Sequence, residues 1–272
     1  MTRDNVTPDS AIEKAAERLK TAEQTKLACP PVRDLLGDTD LSAAYAVQKM
    51  LTRSRIAAGS RVIGRKIGLT SQSVQRQFGV NTPDFGVLFD DMIYGDGEHV
   101  PFDRFLKPRV EGEIAFVLGA DLPSERTTLV DVLRATEFVL PAIEIVDSRI
   151  EGWDIHITDT IADNASGGAF ALGTTPYPIL GVDLTEVGMV LEHNGQPVST
   201  GAGVACLNSP ALAVAWLARE VAARGDHLCA GETILSGALG PMVSVPGPGR
   251  YRLDLSGLGH VEITFTGEES VS

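Results

Sequence analysis

Apolar residues recur at three- and four-residue intervals in two long stretches at the start of the chain, whereas after residue 61 they mostly alternate or run together. In "DSAIEKAAERLKTAEQTKLACPP", Ile12, Ala15, Ala16, Leu19 and Ala22 share one helical face, Asp9 and Ser10 supply caps, and Pro30 with Pro31 ends the segment. "DTDLSAAYAVQKMLTRSRIAAGS" repeats the pattern through Leu41, Ala44, Tyr45, Val47, Gln48 and Leu51 and stops at Gly59. Residues 1–60 are therefore expected to form a small helical N-terminal subdomain. From Arg61 the texture changes to short runs divided by Gly, Pro and Asp: "RVIGRKIGL", "FGVLF", "RVEGEIAFVL", "FVLPAIEIV", "GAFALG", "GMVLEHNGQPVS", "TILSGAL", "YRLDL" and "HVEITFTG". Asn194-Gly195 marks a two-residue hairpin. Helices are expected only over "SVQRQFG", "TTLVDVLRATE" and "SPALAVAWLAREVAARG". Clustered strands without regular βα alternation predict an α+β fold, with residues 61–272 as a mixed-β domain.

Composition narrows the function. The 272 residues carry 23 basic and 36 acidic side chains, a formal charge of −13, and no basic cluster longer than "RSR" or "GRK", so a nucleic-acid footprint is absent. Cys29, Cys206 and Cys229 form an odd set without CxxC spacing, which points to neither a disulfide framework nor a zinc site. No stretch reaches the apolar length of a membrane span and the N-terminus lacks a signal-type apolar region, so no membrane partner and a cytoplasmic location are expected.

The chemistry concentrates in a few acidic positions inside apolar runs. Glu111 and Glu113 in "RVEGEIAFVL" lie two residues apart on a predicted strand, so both point to one face about 7 Å apart. Glu144 stands between Ile143 and Ile145 in "FVLPAIEIVDSRI". Carboxylates removed from water need a cation, and three of them on one face form a hard oxygen site suited to Mg2+ or Mn2+. The plainer alternatives are a solvent-facing E-x-E pair and a core Glu144 satisfied by Arg149 or Arg109. Lys66 in "VIGRKIGLTS" either snorkels to the surface or, beside a cation and apolar walls, has a depressed pKa and moves protons. Asp84 follows Pro83 in "NTPDFGVLF" as either a turn residue or a site carboxylate. "DTIADNASGGAF" (159–170) reads as a small-residue loop, either an ordinary connection or one brought close to a ligand. No triad or phosphate-loop spacing surrounds Ser236 or the five histidines.

The segments "GRKIGLTSQSVQRQFGVNTPDFGVLFDDM", "RVEGEIAFVL", "FVLPAIEIVDSRI", "DTIADNAS" and "ILSGALGPMV" occur in the order and approximate spacing of the 2-keto-4-pentenoate hydratases, and the chain resembles that family from about residue 8 to 266. The resemblance implies a mixed β-sheet or β-roll catalytic domain of fumarylacetoacetate hydrolase type. It also implies a metal-dependent hydratase that adds water to 2-hydroxypenta-2,4-dienoate in meta-cleavage catabolism of aromatic compounds. Glu111, Glu113 and Glu144 match the family's Mg2+ or Mn2+ ligands, Lys66 and Asp84 its catalytic positions, and Ser166 and Leu88 its substrate-pocket positions. A pentamer-based homo-oligomer and a downstream aldolase are implied as partners. Two alternatives are a 4-oxalocrotonate-type decarboxylase and a non-catalytic subunit of a hydratase-decarboxylase complex.

Overall fold

In the computed structural model, residues 8–71, 75, 80 and 82–267 are described. Three helices open the chain: α1 (Pro8–Thr25), the short α2 (Arg33–Leu36) and α3 (Leu41–Ala57). Asp40 caps α3 by accepting from the Ala43 amide at 3.0 Å. Their inward faces, Ala15, Leu19, Ala44 and Val47 among them, form one apolar cluster together with Ile150, Ile155, Ile161 and Ala162 from far along the chain. Gln48, expected on the apolar face of α3, is buried there and ties elements together: its amide donates to the carbonyls of Phe85 at 2.8 Å and Ile161 at 2.9 Å.

The strands that follow are β1 (Val62–Gly68), β2 (Asp84–Phe89), β3 (Ile93–Gly95), β4 (His99–Pro101), β5 (Arg109–Leu118), β6 (Thr136–Val146) and β7 (Gly167–Leu172). After them come β8 (Gly188–His193), β9 (Gln196–Ala202), β10 (Thr233–Leu235), β11 (Val243–Ser244), β12 (Gly249–Leu255) and β13 (Gly259–Thr266). They make two mixed sheets. The larger runs β2-β1-β10-β5-β6-β7-β3 with β11 beside β5, and the smaller runs β4-β13-β12-β8-β9. In the larger sheet β1 pairs parallel to β10 and β3 to β7, while the other neighbours are antiparallel. The Asn194-Gly195 hairpin joins β8 to β9 as expected, with both residues at positive φ.

Helices α4 (Leu129–Ala135), α5 (Ile157–Ala162) and α6 (Pro210–Ala222) complete the described α-helices, and short 3-10 turns include Glu151–Trp153 and Asn164–Ser166. The helix expected over 73–79 falls on residues that, Gln75 apart, lie outside those described. One expectation is corrected: 159–170 is not a loop, because α5 runs to Ala162 and β7 begins at Gly167. "TILSGAL" likewise stops pairing as a regular strand at Leu235.

The larger sheet has two apolar faces with different partners. Ile67, Ile114, Phe116, Ile143 and Ile145 face the main core, which also contains Leu253 and Met189 of the smaller sheet and Val214 and Leu217 of α6. The opposite face brings Leu88 of β2, Leu235 of β10, Ala115 of β5, Leu140 of β6 and Phe170 of β7 into one separate cluster. Strands from opposite ends of the order meet in that cluster, so the sheet is rolled, with a concave inner face. Gly112 lies between Glu111 and Glu113 on the convex side, where a Cβ would come 2.5 Å from Leu253 Cδ1 and 2.9 Å from Met189 Sδ. The E-G-E triplet thus has carboxylates inside and an intersheet contact outside.

Candidate metal centre

Register brings the acids together. Glu111 on β5 stands directly opposite Glu144 on β6, and Glu113 is two residues along β5 on the same face. One carboxylate oxygen from each of the three lies within 4.8 Å of the others. Glu113 and Glu144 are buried, and Glu111 lines a cavity of about 500 Å3 whose other walls include Leu69, Thr70, Leu239 and Met242. Like charges opposed across a ladder repel, so the arrangement is costly unless a cation shares it.

The protein supplies only part of that compensation. Lys66 on β1 is buried, with Nζ 3.0 Å from Glu144 Oε1 and donating to the Ala165 carbonyl at 2.7 Å. Neither arginine considered for Glu144 pairs with it; Arg149 is bound to Asp163 instead. Asp84, at the start of β2, accepts from Thr160 Oγ1 at 3.0 Å through Oδ2 and has no partner at Oδ1. Glu113 Oε2 accepts from the Gly237 amide at 2.7 Å, while Glu113 Oε1 and Glu144 Oε2 have no donor. Among the described residues, a single ammonium therefore stands amid four carboxylates.

Proton affinities follow from this imbalance. Burial, then the charge of Glu144, pushes the Glu111 carboxyl up to about 7 against the opposing pull of Lys66. Burial with Glu144 and Glu111 raises Glu113 well above the usual carboxylate range. Desolvation also raises Asp84, opposed by Lys66 and the Thr160 hydroxyl. Burial alone would lower Lys66, but Glu144, Asp84, Glu111 and Glu113 outweigh it and hold its pKa above the ordinary lysine value. Lys66 does not snorkel to the surface: it is buried, and without a cation the four carboxylates hold it as an ammonium.

The residues fit a hard divalent cation. Two buried carboxylate oxygens without donors, together with Glu111 at the cavity wall, offer an all-oxygen ligand set with one side open to small molecules.

Ser166 and Leu88 were expected pocket positions; the Asn164 side chain, the Ala165 carbonyl and the Gly237 amide escaped the sequence reading. Asn164, Ala165 and Ser166 occupy the left-handed region at φ 56, 50 and 53, a run that non-glycine residues rarely adopt. The turn persists because it is tied down on both sides. The Asn164 amide accepts from Val87 N at 2.8 Å and donates to Val87 O at 2.9 Å, and Arg149 binds Asp163 and the Gly167 carbonyl. It aims the Ala165 carbonyl at Lys66 and leaves Ser166 Oγ buried without a partner. Gly237, at φ 106, turns its amide to Glu113 where a Cβ would lie 2.3 Å from Thr70. Leu88 is buried in the apolar cluster of the concave face. The small polar residues of "DNAS" were the available signal; which backbone groups they would present was not.

The family described as fumarylacetoacetate (FAA) hydrolase C-terminal matches residues 57–266. The "TodF product hydratase" of Pseudomonas putida F1 is 53% identical over 94% of this chain and 95% of its own length. The 2-keto-4-pentenoate hydratase of Paraburkholderia xenovorans LB400 is 51% identical over 93% of this chain and 94% of its own. Among solved structures, 4-oxalocrotonate decarboxylase from Pseudomonas putida G7, complexed with magnesium and adipate, superposes with a TM-score of 0.91 at 34% identity, covering 96% of this chain and 99% of that one.

Proposed function

Since the chain belongs to the fumarylacetoacetate hydrolase family, we propose that it is a metal-dependent hydratase converting 2-hydroxypenta-2,4-dienoate, the enol of 2-keto-4-pentenoate, to 4-hydroxy-2-oxopentanoate. One observation carries the reading: a buried carboxylate trio with donorless oxygens, next to a lysine and open to a cavity. Hydratase-named relatives at 53% and 51% identity favour hydration over decarboxylation, the activity in the name of the 34% identical neighbour.

Mg2+ or Mn2+ held by Glu111, Glu113 and Glu144 would supply Lewis-acid stabilisation of negative charge on the 2-oxygen of the substrate. The Lys66 ammonium faces that charge as the enol hydroxyl loses its proton, while C5 gains a proton and the dienol becomes 2-oxopent-3-enoate. This conjugated ketone is electrophilic at C4. Asp84, whose pKa is raised by burial and whose Oδ1 is unpartnered, takes a proton from water as the water oxygen bonds to C4. A proton delivered to C3 completes the addition, so one water is consumed and no covalent enzyme intermediate forms. Ser166 Oγ, buried without a partner, is assigned to a polar group of the substrate, and Leu88 to the apolar wall beneath it.

The same reading takes residues 1–60 as a helical subdomain and 61–272 as the catalytic domain, with meta-cleavage catabolism in the cytoplasm as the setting and a pentamer-based homo-oligomer as the working form. It also names an aldolase downstream. The product's hydroxyl lies β to its oxo group, the arrangement that retro-aldol cleavage consumes.

The test is dienoate consumption, followed by loss of absorbance, in chelator-stripped protein before and after addition of Mg2+ or Mn2+. Turnover is expected only with metal, and both Lys66→Ala and Asp84→Asn should lower it while leaving thermal stability less affected. Full activity in stripped protein would refute the metal assignment. Release of CO2 from 4-oxalocrotonate without hydration of the dienoate would make the chain a decarboxylase.

A further inference from the structure

Arg109 opens β5 two residues before Glu111, so the two side chains leave the same face and both line the cavity. Its surroundings are unusual for an arginine near carboxylates. Lys66 and Arg149 each have a carboxylate partner, yet Arg109 forms no ion pair among the described residues. Its guanidinium carbon instead lies 4.0 Å from the centroid of the Trp153 ring. Trp153 is itself anchored: its indole donates to the Lys107 carbonyl at 3.1 Å, and its ring packs against the helical cluster. It holds this position at φ 57, a conformation a tryptophan adopts only when its surroundings enforce it. The result is an arginine that lines the cavity, with its guanidinium held on Trp153 and its N–H groups uncommitted to carboxylates among the described residues.

We propose that Arg109 is a substrate-positioning residue that binds the C1 carboxylate of a metal-chelating 2-oxo or 2-hydroxy acid, and that Trp153 holds it in place. The proposal rests on the assignment of Glu111, Glu113 and Glu144 as metal ligands. When such an acid engages a cation through one carboxylate oxygen and its 2-oxygen, the second carboxylate oxygen needs a donor. Arg109 is the cation on the Glu111 side of the cavity, opposite in role to Lys66, which faces the 2-oxygen. A guanidinium suits this task because it is permanently charged and offers paired N–H groups to a planar carboxylate.

Binding of small chelators to Mn2+-loaded protein, followed by calorimetry, tests the idea without requiring turnover. Oxalate retains a carboxylate oxygen free for Arg109, whereas acetohydroxamate chelates through two oxygens and has no carboxylate. Arg109→Met should weaken oxalate binding by about ten- to a hundredfold, the range for loss of a charge-assisted hydrogen bond. It should leave acetohydroxamate binding nearly unchanged and leave Mn2+ binding equal or tighter, since a cation near Glu111 has been removed. Arg109→Lys should recover part of the oxalate affinity, and Trp153→Ala should lose oxalate affinity by less than Arg109→Met.

Unchanged oxalate binding in Arg109→Met would overturn the proposal, as would equal losses for oxalate and acetohydroxamate, which would reduce Arg109 to a general electrostatic role. A loss confined to 2-oxoadipate, with pyruvate unaffected, would also overturn it by assigning Arg109 to a distal carboxylate. Mn2+-dependent oxalate binding that Arg109→Met selectively weakens, in a protein that fails to hydrate the dienoate, supports this proposal and rejects the hydratase reading. Wild-type protein that binds no oxalate with Mn2+ rejects both.

Discussion

Glu113 has one oxygen on the Gly237 amide, the other against no donor, and two further glutamates within a few ångströms. The physical consequence is that metal-free protein must either hold an unfavourable charge or take up a proton to remove it, and a neutral isostere avoids that cost. Glu113→Gln is therefore expected to raise the melting temperature of chelator-treated protein. Relief of about 1 kcal/mol corresponds to about 2–4 °C for a chain of this size. The same variant should lose most of the temperature increase that Mn2+ gives the wild type. Lys66→Met should do the reverse without metal, because it leaves Glu144 buried with no cation; truncating one partner of a buried pair costs about 3–5 kcal/mol. Differential scanning fluorimetry with and without Mn2+ reads both signs. Lower stability of Glu113→Gln in chelator would mean that the glutamate cluster is not strained.

The strands and helices were legible to different depths, and the glutamate strand shows why. Its E-x-E face follows from the two-residue period of a strand, whereas its link to Glu144 was readable only as three acids in apolar runs needing one cation, and the direct pairing of the two strands came from the fold. The glycine between the glutamates carried no meaning until the second sheet was in place, since its reason is the side chains of Leu253 and Met189 about 140 and 77 residues away. The same holds for the 159–170 segment. Its small residues read as a loop, because the tertiary bonds from Arg149 and Val87 that stabilise three left-handed residues are invisible locally. Gly112→Ala is expected to force Leu253 and Met189 apart or push β5 inward, a form of overpacking that costs about 1–3 kcal/mol. Chemical denaturation measures that loss. Reduced Mn2+ affinity in the same variant would show that the intersheet contact sets the spacing of Glu111 and Glu113; wild-type values for both would remove Gly112 from this role.

At the scale of the whole molecule, the N-terminal helices and the segment carrying Arg149 and Trp153 are joined through Cys29. Its amide donates to the Arg149 carbonyl at 2.8 Å, and its carbonyl accepts from Glu151 N at 2.9 Å. The sequence located the helices but not this junction, because nothing in the pattern around Cys29 specifies a partner some 120 residues away. The thiol is buried there. Desolvation first, then the charge of Asp163, pushes its pKa from 9.0 up to about 11. A thiol whose pKa is higher in the folded chain than in the unfolded one keeps its proton longer when folded. Its contribution to stability is complete below about pH 9 and is lost as pH rises through about 11, since the unfolded chain binds fewer protons across that interval. Denaturation midpoints should therefore fall between pH 9 and pH 11. Cys29→Ala, which removes this titration and little volume, should show a shallower fall than the wild type over the same interval, whatever offset the substitution adds at pH 7. Parallel curves for the two proteins would mean that Cys29 ionises as freely in the fold as out of it, and that the junction between the helical layer and the Arg149–Trp153 segment is open to water.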